Sequence, residues 1–493
     1  MTGGDTGTRR RLLEVFGTLV GGAVGASTSA AARRDGNDEP SAPGLGEIVL
    51  GVDDSTDVGS VLPDLRSEMP STASVVDRDD ALGSVTVAHA DVESPAEYDR
   101  YARYYEQCRW CAYAEPNYLH HPMVAEAQEV SHRGLQRYHR ASDGFGGNET
   151  GSLLDAQYAP RLVNAPAAWD RTLGSKDVTI GVIDTGVESS HETLASRFGD
   201  PVGTDFLSAS RDHHVPASSS HGTSVSGIAA ATTDNGTGIA GISNARILAV
   251  RALAGSGSTN TLAKAIRWTA DRADVINMSF ATSEPSETMR RACEYAAAQD
   301  TLLVAAAGNL SKQDKLGPSS RGVIYPSSRG VIYPTRSRGV IYPTRSRGVI
   351  YPTRSRGVIY PTGSRGVIYP TDEEGGESAA AYPAAFDSVV SVSAIDRAER
   401  PAPFTVSGES VDLTAPGVDV LTTARGDNYA RVSGTSISSP VVAGVAALAK
   451  SADPTLSAAE LGSLLTSTAR PLGIDPGVEG AGCVDAAALL DSL

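Results

Sequence analysis

The sequence predicts an α/β fold: a three-layer, mostly parallel sheet with helices on both faces, preceded by a small α+β unit. Three observations carry this expectation. From residue 177 onward, short apolar runs rich in β-branched residues alternate with helical stretches, and strands separated by helices pair in parallel under cover on both faces. Asp184 and Asn309 directly follow two of those runs, at the strand ends where open α/β sheets gather functional groups. The length, 493 residues with 40% hydrophobic content, suffices for one large domain and smaller parts.

In chain order, Thr8-Arg9-Arg10-Arg11-Leu12-Leu13 precedes a Gly- and Ala-rich apolar stretch, and Ala30-Ala31-Ala32 follows it. Residues 1–32 therefore read as a Tat signal peptide, with an extracellular destination and no membrane partner. The apolar stretch is too short and too rich in Gly to anchor in a bilayer. Residues 33–46 are a polar linker. The small α+β unit, 47–120, has strands at 47–52 and 83–88, a helix at 95–105 and a final strand from 111 to 118. Residues 121–149 are polar and read as a loop open to proteolytic processing.

The main domain spans 150–493. Its strands are expected at 177–183, 246–253, 275–279, 302–307 and 388–394. Its helices are expected at 220–231, 261–270, 286–299, 436–450 and 457–467, several opened by Ser or Thr caps. Arg-Gly-Val-Ile-Tyr-Pro occurs six times within 319–371, a block with nine Arg and no acid. Each unit has only three consecutive apolar residues and a Pro, so the insertion reads as an extended arm without a core. Its alternative reading is a cationic arm beside a cleft.

The formal net charge is −16, and Lys is confined to Lys176, Lys264, Lys312, Lys315 and Lys450. An acidic chain that keeps its hydration suits a high-salt habitat and argues against nucleic acid as a partner. Four cysteines are too few for a disulfide framework. Cys108 and Cys111 form a single C-x-x-C, read as small half-buried residues or a local redox pair rather than a zinc site. Cys293 and Cys483 are isolated.

Three segments carry the chemistry. Val182-Ile183-Asp184-Thr185-Gly186, Ser220-His221-Gly222-Thr223 and Gly434-Thr435-Ser436 supply an acid, a base and a nucleophile in that order. A serine hydroxyl needs a histidine to take its proton, and a carboxylate to hold that histidine in one tautomer. Ser436 opens a helix, whose free N–H groups favour a developing oxyanion. The Asn309 side chain, after Gly308, can add a second donor. The expected activity is peptide-bond hydrolysis through an acyl-enzyme, without a cofactor in the chemistry. A second reading is a disabled relative of such an enzyme, silenced by the repeat insertion, that binds peptides or surfaces through its cleft. An esterase on the same triad is disfavoured because Ser436 lacks a Gly-x-Ser-x-Gly setting.

These motifs resemble those of the subtilisin-like (subtilase) serine peptidases, in the style of the thermitase-like and halolysin-like enzymes of salt-loving archaea. The resemblance covers about 150–318 and 372–493. It implies a subtilisin-like fold, protein or peptide substrates and a monomer. Gly255-Ser256-Gly257 and Ser279-Phe280-Ala281 match the two segments whose backbone pairs with an extended substrate. Ala306 and Gly308 match one wall of the primary specificity pocket. The unit ending Tyr113-Ala114-Glu115-Pro116-Asn117-Tyr118 is similar to the family's inhibitory propeptide, which makes it an internal partner of the peptidase domain. The loop containing Asn235, Thr237 and Ile239 resembles the family's structural calcium loop. Departures include Val441 where the family has His, and Glu192-Thr193 where it has Pro-Asp.

Overall fold

Two layers of helix on one parallel sheet form the larger part of the molecule, because the strands are apolar on both faces. The computed structural model describes residues 46–53, 56–92, 95–130, 151–208, 217–310, 335–337, 353–355 and 380–493. The signal segment 1–32 and nearly all of the linker 33–46 lie outside the described residues.

The small N-terminal unit is a four-stranded antiparallel sheet backed by two helices. Its strands are β1 (Glu47–Val52), β2 (Ala73–Asp79), β3 (Ser84–His89) and β4 (Cys111–Pro116), in the order β2-β3-β1-β4. Helices α1 (Val58–Glu68) and α2 (Pro95–Tyr105) complete a split β-α-β-β-α-β arrangement. Ile48, Leu50, Val85, Leu65 and Tyr105 are buried in it. Neither α1 nor β2 is expected from the sequence. Pro63 inside α1 masks its helical pattern, while Asp57 opens the helix by accepting from Ser60 N at 2.9 Å.

Residues 121–130, expected as part of a loop, are instead mostly strand. β5 (Leu119–Pro122) and β6 (Glu126–Val130) straddle the expected boundary at 120. Neither has a β-like sequence. Both are strands because each lies along an exposed edge of the larger unit that lacks a partner strand.

The larger unit has a seven-stranded sheet. Its strands are β7 (Thr179–Asp184), β8 (Phe198–Asp205), β9 (Arg246–Arg251), β11 (Val275–Met278), β13 (Leu302–Ala306), β14 (Val389–Ile395) and β15 (Leu413–Pro416). The short strands β10 (Gly257–Ser258) and β12 (Phe280–Ala281) lie outside it, and β16 (Val420–Ala424) pairs with β17 (Asn428–Ser433). The order is β15-β14-β13-β11-β7-β9-β8, every neighbour parallel. The strand order reverses at β7, the switch point at which such sheets build their sites.

Alternate residues of the central strands face opposite cores. Ile247 and Ala249 pack with α3 (His221–Ala230) and α6 (Thr435–Ala452). Leu248 and Val250 pack with α4 (Thr259–Ala270) and α5 (Glu287–Ala298). A further helix, α7 (Ala458–Ser467), begins with a full capping box between Ser457 and Glu460. Among the described residues no helix is long and apolar enough to cross a membrane.

Of the repeat block, Thr335–Ser337 and Thr353–Ser355 are described, and they pair in parallel. They are the same Thr-Arg-Ser from repeats two periods apart. None of the four cysteines is in a disulfide: Cys108 donates to Glu68 Oε2 and Cys111 to the Tyr113 carbonyl, both at 3.1 Å.

Candidate active site

Asp184 ends β7 with its side chain fully buried. Its Oδ1 accepts from Thr185 N at 2.6 Å and lies 2.8 Å from His221 Nδ1. The two motifs interlock beyond that contact. Gly222 N donates to Thr185 Oγ1 at 3.1 Å, and a Cβ at Gly222 would run into the Gly186 carbonyl. The helix bearing His221 can therefore approach the strand bearing Asp184 only with glycine in the second position. His221 Nε2 is buried and has no hydrogen-bond partner among the described residues.

Ser436 lies in the first turn of α6. Its hydroxyl is not bonded to His221; it donates to the carbonyl oxygen of Met123 at 2.7 Å. Ser436 N donates to the same oxygen at 3.3 Å. A Cβ at Gly434 would collide with that oxygen, so glycine at this position keeps the space open. Asn309 follows β13. Its Oδ1 accepts from Thr435 N at 3.0 Å and Thr435 Oγ1 at 2.9 Å. Both bonds use the oxygen, and Nδ2 is left buried with no partner among the described residues.

A lock that the sequence reading passed over holds the nucleophile. Pro440 sits inside α6 and has no N–H to offer the carbonyl four residues earlier. That carbonyl, of Ser436, accepts instead from Ser279 Oγ at 2.9 Å. Asn277 Nδ2 donates to Ser279 Oγ at 2.8 Å, and Ser439 Oγ lies 3.1 Å away. The signal was in the sequence as a proline four residues after the serine, together with Ser279, expected only as a backbone partner of substrate.

The Met123 carbonyl reaches this centre because β5 is the middle strand of a three-stranded sheet, β10-β5-β12. His120 is opposite Gly257, and Pro122 is opposite Phe280. Thr259 N donates to the Tyr118 carbonyl at 2.8 Å, and Met123 N donates to the Ser279 carbonyl at 3.1 Å. Pro122, without an N–H, occupies a position where none is required. Past Met123, Ala125 N donates to the Ser433 carbonyl at 2.8 Å, and β6 pairs antiparallel with β17. The chain thus crosses the centre between β5 and β6, hydrogen-bonded to the larger unit on both sides of the Met123–Val124 bond.

Gly257, Ser279, Phe280 and Ala281 all take part in this pairing. Gly255 and Ser256 do not: Ala254 N donates to the Ser256 carbonyl at 3.0 Å, closing a tight turn with Gly255 at φ +81°. Ala306 ends β13, and Gly308 N donates to Thr435 Oγ1 at 3.3 Å, which brings that wall beside the serine.

Polar contacts fix the N-terminal unit to the larger one. Glu115 accepts from Ser286 Oγ at 2.7 Å, Glu287 N at 2.8 Å and Thr288 N at 3.0 Å, capping α5. Burial pushes its carboxyl above the usual range. Asn117 Oδ1 accepts from Asn260 N at 2.9 Å in the first turn of α4. Asp77 pairs with Lys264, and Asp79 lies 3.5 Å from Arg267.

The loop expected around calcium makes its own contacts. Asn235 Oδ1 accepts from Thr237 N at 2.9 Å, and Thr237 pairs with Gly151. The Thr193 methyl lies against Gly238, where the family resemblance would place a carboxylate. The Glu192 carboxylate takes the Tyr429 hydroxyl. Among the described residues no group of three His, Cys, Asp or Glu is placed to hold a metal ion.

The chain is similar to known proteins. The model of peptidase S8, the subtilase family, matches residues 175–482, more than half of the chain. A halolysin-like extracellular serine protease, Nep, from Natrialba magadii is 34% identical over 451 residues, which is 90% of this chain and 67% of that protein. Halolysin from Haloferax mediterranei is 33% identical over the same length, 69% of its own. Subtilisin DY from Bacillus licheniformis is 30% identical over 319 residues, 92% of its length. With an acid and a base joined at the switch point of a parallel sheet, and a serine at a helix start facing a bound strand, the chain belongs to the subtilase family and is a serine-type endopeptidase.

Proposed function

We propose that the chain is an exported endopeptidase, made as a precursor, in which Ser436 is the nucleophile, His221 the general base and Asp184 its orienting acid. In this reading the unit ending at Met123 is an inhibitory propeptide, and Met123–Val124 is the bond the enzyme cuts in its own chain. One observation carries the proposal: the Met123 carbonyl oxygen accepts both the N–H and the hydroxyl of Ser436, from a strand hydrogen-bonded as a substrate would be.

The Ser436 hydroxyl turns from that oxygen to His221 Nε2, gives up its proton and attacks the Met123 carbonyl carbon. The oxygen takes the negative charge, and Ser436 N–H and the unpaired Asn309 Nδ2 donate to it. A donor without a ground-state partner is poised for charge that exists only in the transition state. His221 then passes its proton to the Val124 nitrogen, and that strand leaves. Water, deprotonated by His221, releases Met123 as a carboxylate and restores Ser436. Asp184 holds Nδ1–H throughout, which keeps Nε2 the basic nitrogen.

Export and life in salt rest on the twin-arginine segment, the charge of −16 and the kinship with halolysins. The test is expression in high salt followed by a fluorophosphonate probe and a casein assay, with a Ser436→Ala control. Labelling and casein clearing that vanish in the control are expected. A folded protein that neither labels nor clears casein would contradict the proposal in favour of a peptide-binding role.

A further inference from the structure

Ser279 touches both sides of the reaction. Its carbonyl accepts from Met123 N at 3.1 Å, which holds the residue whose carbonyl faces Ser436. Its hydroxyl donates to the Ser436 carbonyl at 2.9 Å. A hydroxyl has one proton and two lone pairs. The proton is spent on Ser436, so Asn277 Nδ2 at 2.8 Å and Ser439 Oγ at 3.1 Å are donors to the lone pairs. Asn277, Ser279, Ser436 and Ser439 are all fully buried, and the Ser279 hydroxyl has no freedom to turn. Asn277 Oδ1 has no partner among the described residues, so the one bond this amide makes there is the one that aims the Ser279 proton.

Pro440 creates the need for that proton. It removes the N–H that would meet the Ser436 carbonyl inside α6, and a proline ring crowds the carbonyl four residues before it. Without Ser279 the carbonyl would be buried and unbonded, and the first turn of α6 would tilt to satisfy it. The N–H and hydroxyl that converge on the Met123 oxygen belong to the same residue as that carbonyl, so a tilt moves both. We propose that Ser279 is a positioning residue of the reaction: its hydroxyl, in place of the N–H that Pro440 lacks, fixes Ser436 against the acyl group that its own carbonyl holds. The inference rests on the reading of Ser436 as nucleophile and deepens it. The two contacts separate cleanly. The carbonyl survives any substitution at 279, so loss of the hydroxyl should spare binding and slow attack, which depends steeply on the placement of the reacting atoms.

The test uses the mature enzyme in high salt and a p-nitroanilide peptide ending in the leader's own His121-Pro122-Met123 sequence. Rates are divided by the active sites titrated with a fluorophosphonate, so that unfolded protein does not count. Ser279→Ala should lower kcat about tenfold or more with KM unchanged. Adding Pro440→Ala, which returns an N–H to the helix, should restore most of that loss, by a larger factor than the same change produces in the enzyme that keeps Ser279. A hydroxyl that only fills space predicts no such rescue, because the second change refills nothing. Asn277→Ala keeps Ser279 but lets its hydroxyl turn; it should lower kcat about three- to tenfold with KM unchanged, and it carries the test should Ser279→Ala fail to fold. An unchanged kcat in either variant, a loss carried by KM, or a double variant no faster than Ser279→Ala would overturn the proposal. Absence of casein clearing by the unmodified enzyme would instead remove the peptidase reading and this inference with it.

Discussion

The interior of the larger unit and its seam with the N-terminal unit are held by different forces. The interior is built from small apolar groups: Ala229, Ala249, Ala443 and Val442 are all fully buried between sheet and helices. The seam is built from a carboxylate on helix N–H groups, ion pairs and strand hydrogen bonds. Close-packed apolar contacts cannot be undone in parts without leaving cavities. Polar contacts can, because water replaces each one. A seam of this kind suits the leader proposed above: it would hold the unit in place and let it go once the strand through the centre is cut.

The largest effect that sharpens the contrast is at the centre itself. Asn309→Ala should lower kcat about a hundred- to thousandfold with KM little changed, measured on a chromogenic peptide. An equal loss carried by KM would mean that Asn309 positions substrate instead. At the seam, Glu115→Ala leaves Ser286 Oγ, Glu287 N and Thr288 N without their acceptor. It should weaken inhibition by the cleaved leader about ten- to a hundredfold, with no effect on the peptidase once the leader is gone.

Acid should loosen the seam next. His120 is buried against Thr259 and Phe280 of the larger unit, and burial holds it down to about 3. On release it returns toward about 6.5, so the released form binds more protons. The His120 contribution to docking is therefore fully present above about pH 6.5 and is lost as pH falls, by about 1.4 kcal/mol per unit. Glu115, raised by burial, acts in the opposite sense. Release of the N-terminal unit from pre-cleaved enzyme should be faster at pH 5 than at pH 7; a flat profile would remove His120 from the seam's energetics. The smallest effect is Lys264→Ala, about two- to fivefold weaker leader binding at low salt, vanishing in concentrated salt as screening removes the Asp77 pair.

What the sequence made legible follows the same division. Asp184, His221 and Ser436 stand out because their neighbours have no freedom: Thr185, Gly222 and Gly434 are each dictated by a contact or a collision. Five strands of the parallel sheet were legible because they are apolar on both faces; the edge strands β8, with its polar and half-exposed FGDPVGTD sequence, and β15, only four residues long, were not. Strand β5 was not, because Leu-His-His-Pro-Met has no strand pattern; it is extended only because β10 and β12 present unpaired edges. Helix α1 was hidden by Pro63, and the Ser279 lock by the distance in sequence between a proline and the serine that replaces its missing N–H. Elements set by their own side chains could be read in advance, and those set by a distant partner could not.

The central claim is that Ser436 cuts the bond whose carbonyl it holds. N-terminal sequencing of the protein recovered after folding in high salt, beside a Ser436→Ala control, tests it directly. The account predicts a new terminus at Val124 and an uncut leader in the control. A first cut elsewhere by the active enzyme, or the same Val124 terminus in the control, would contradict it.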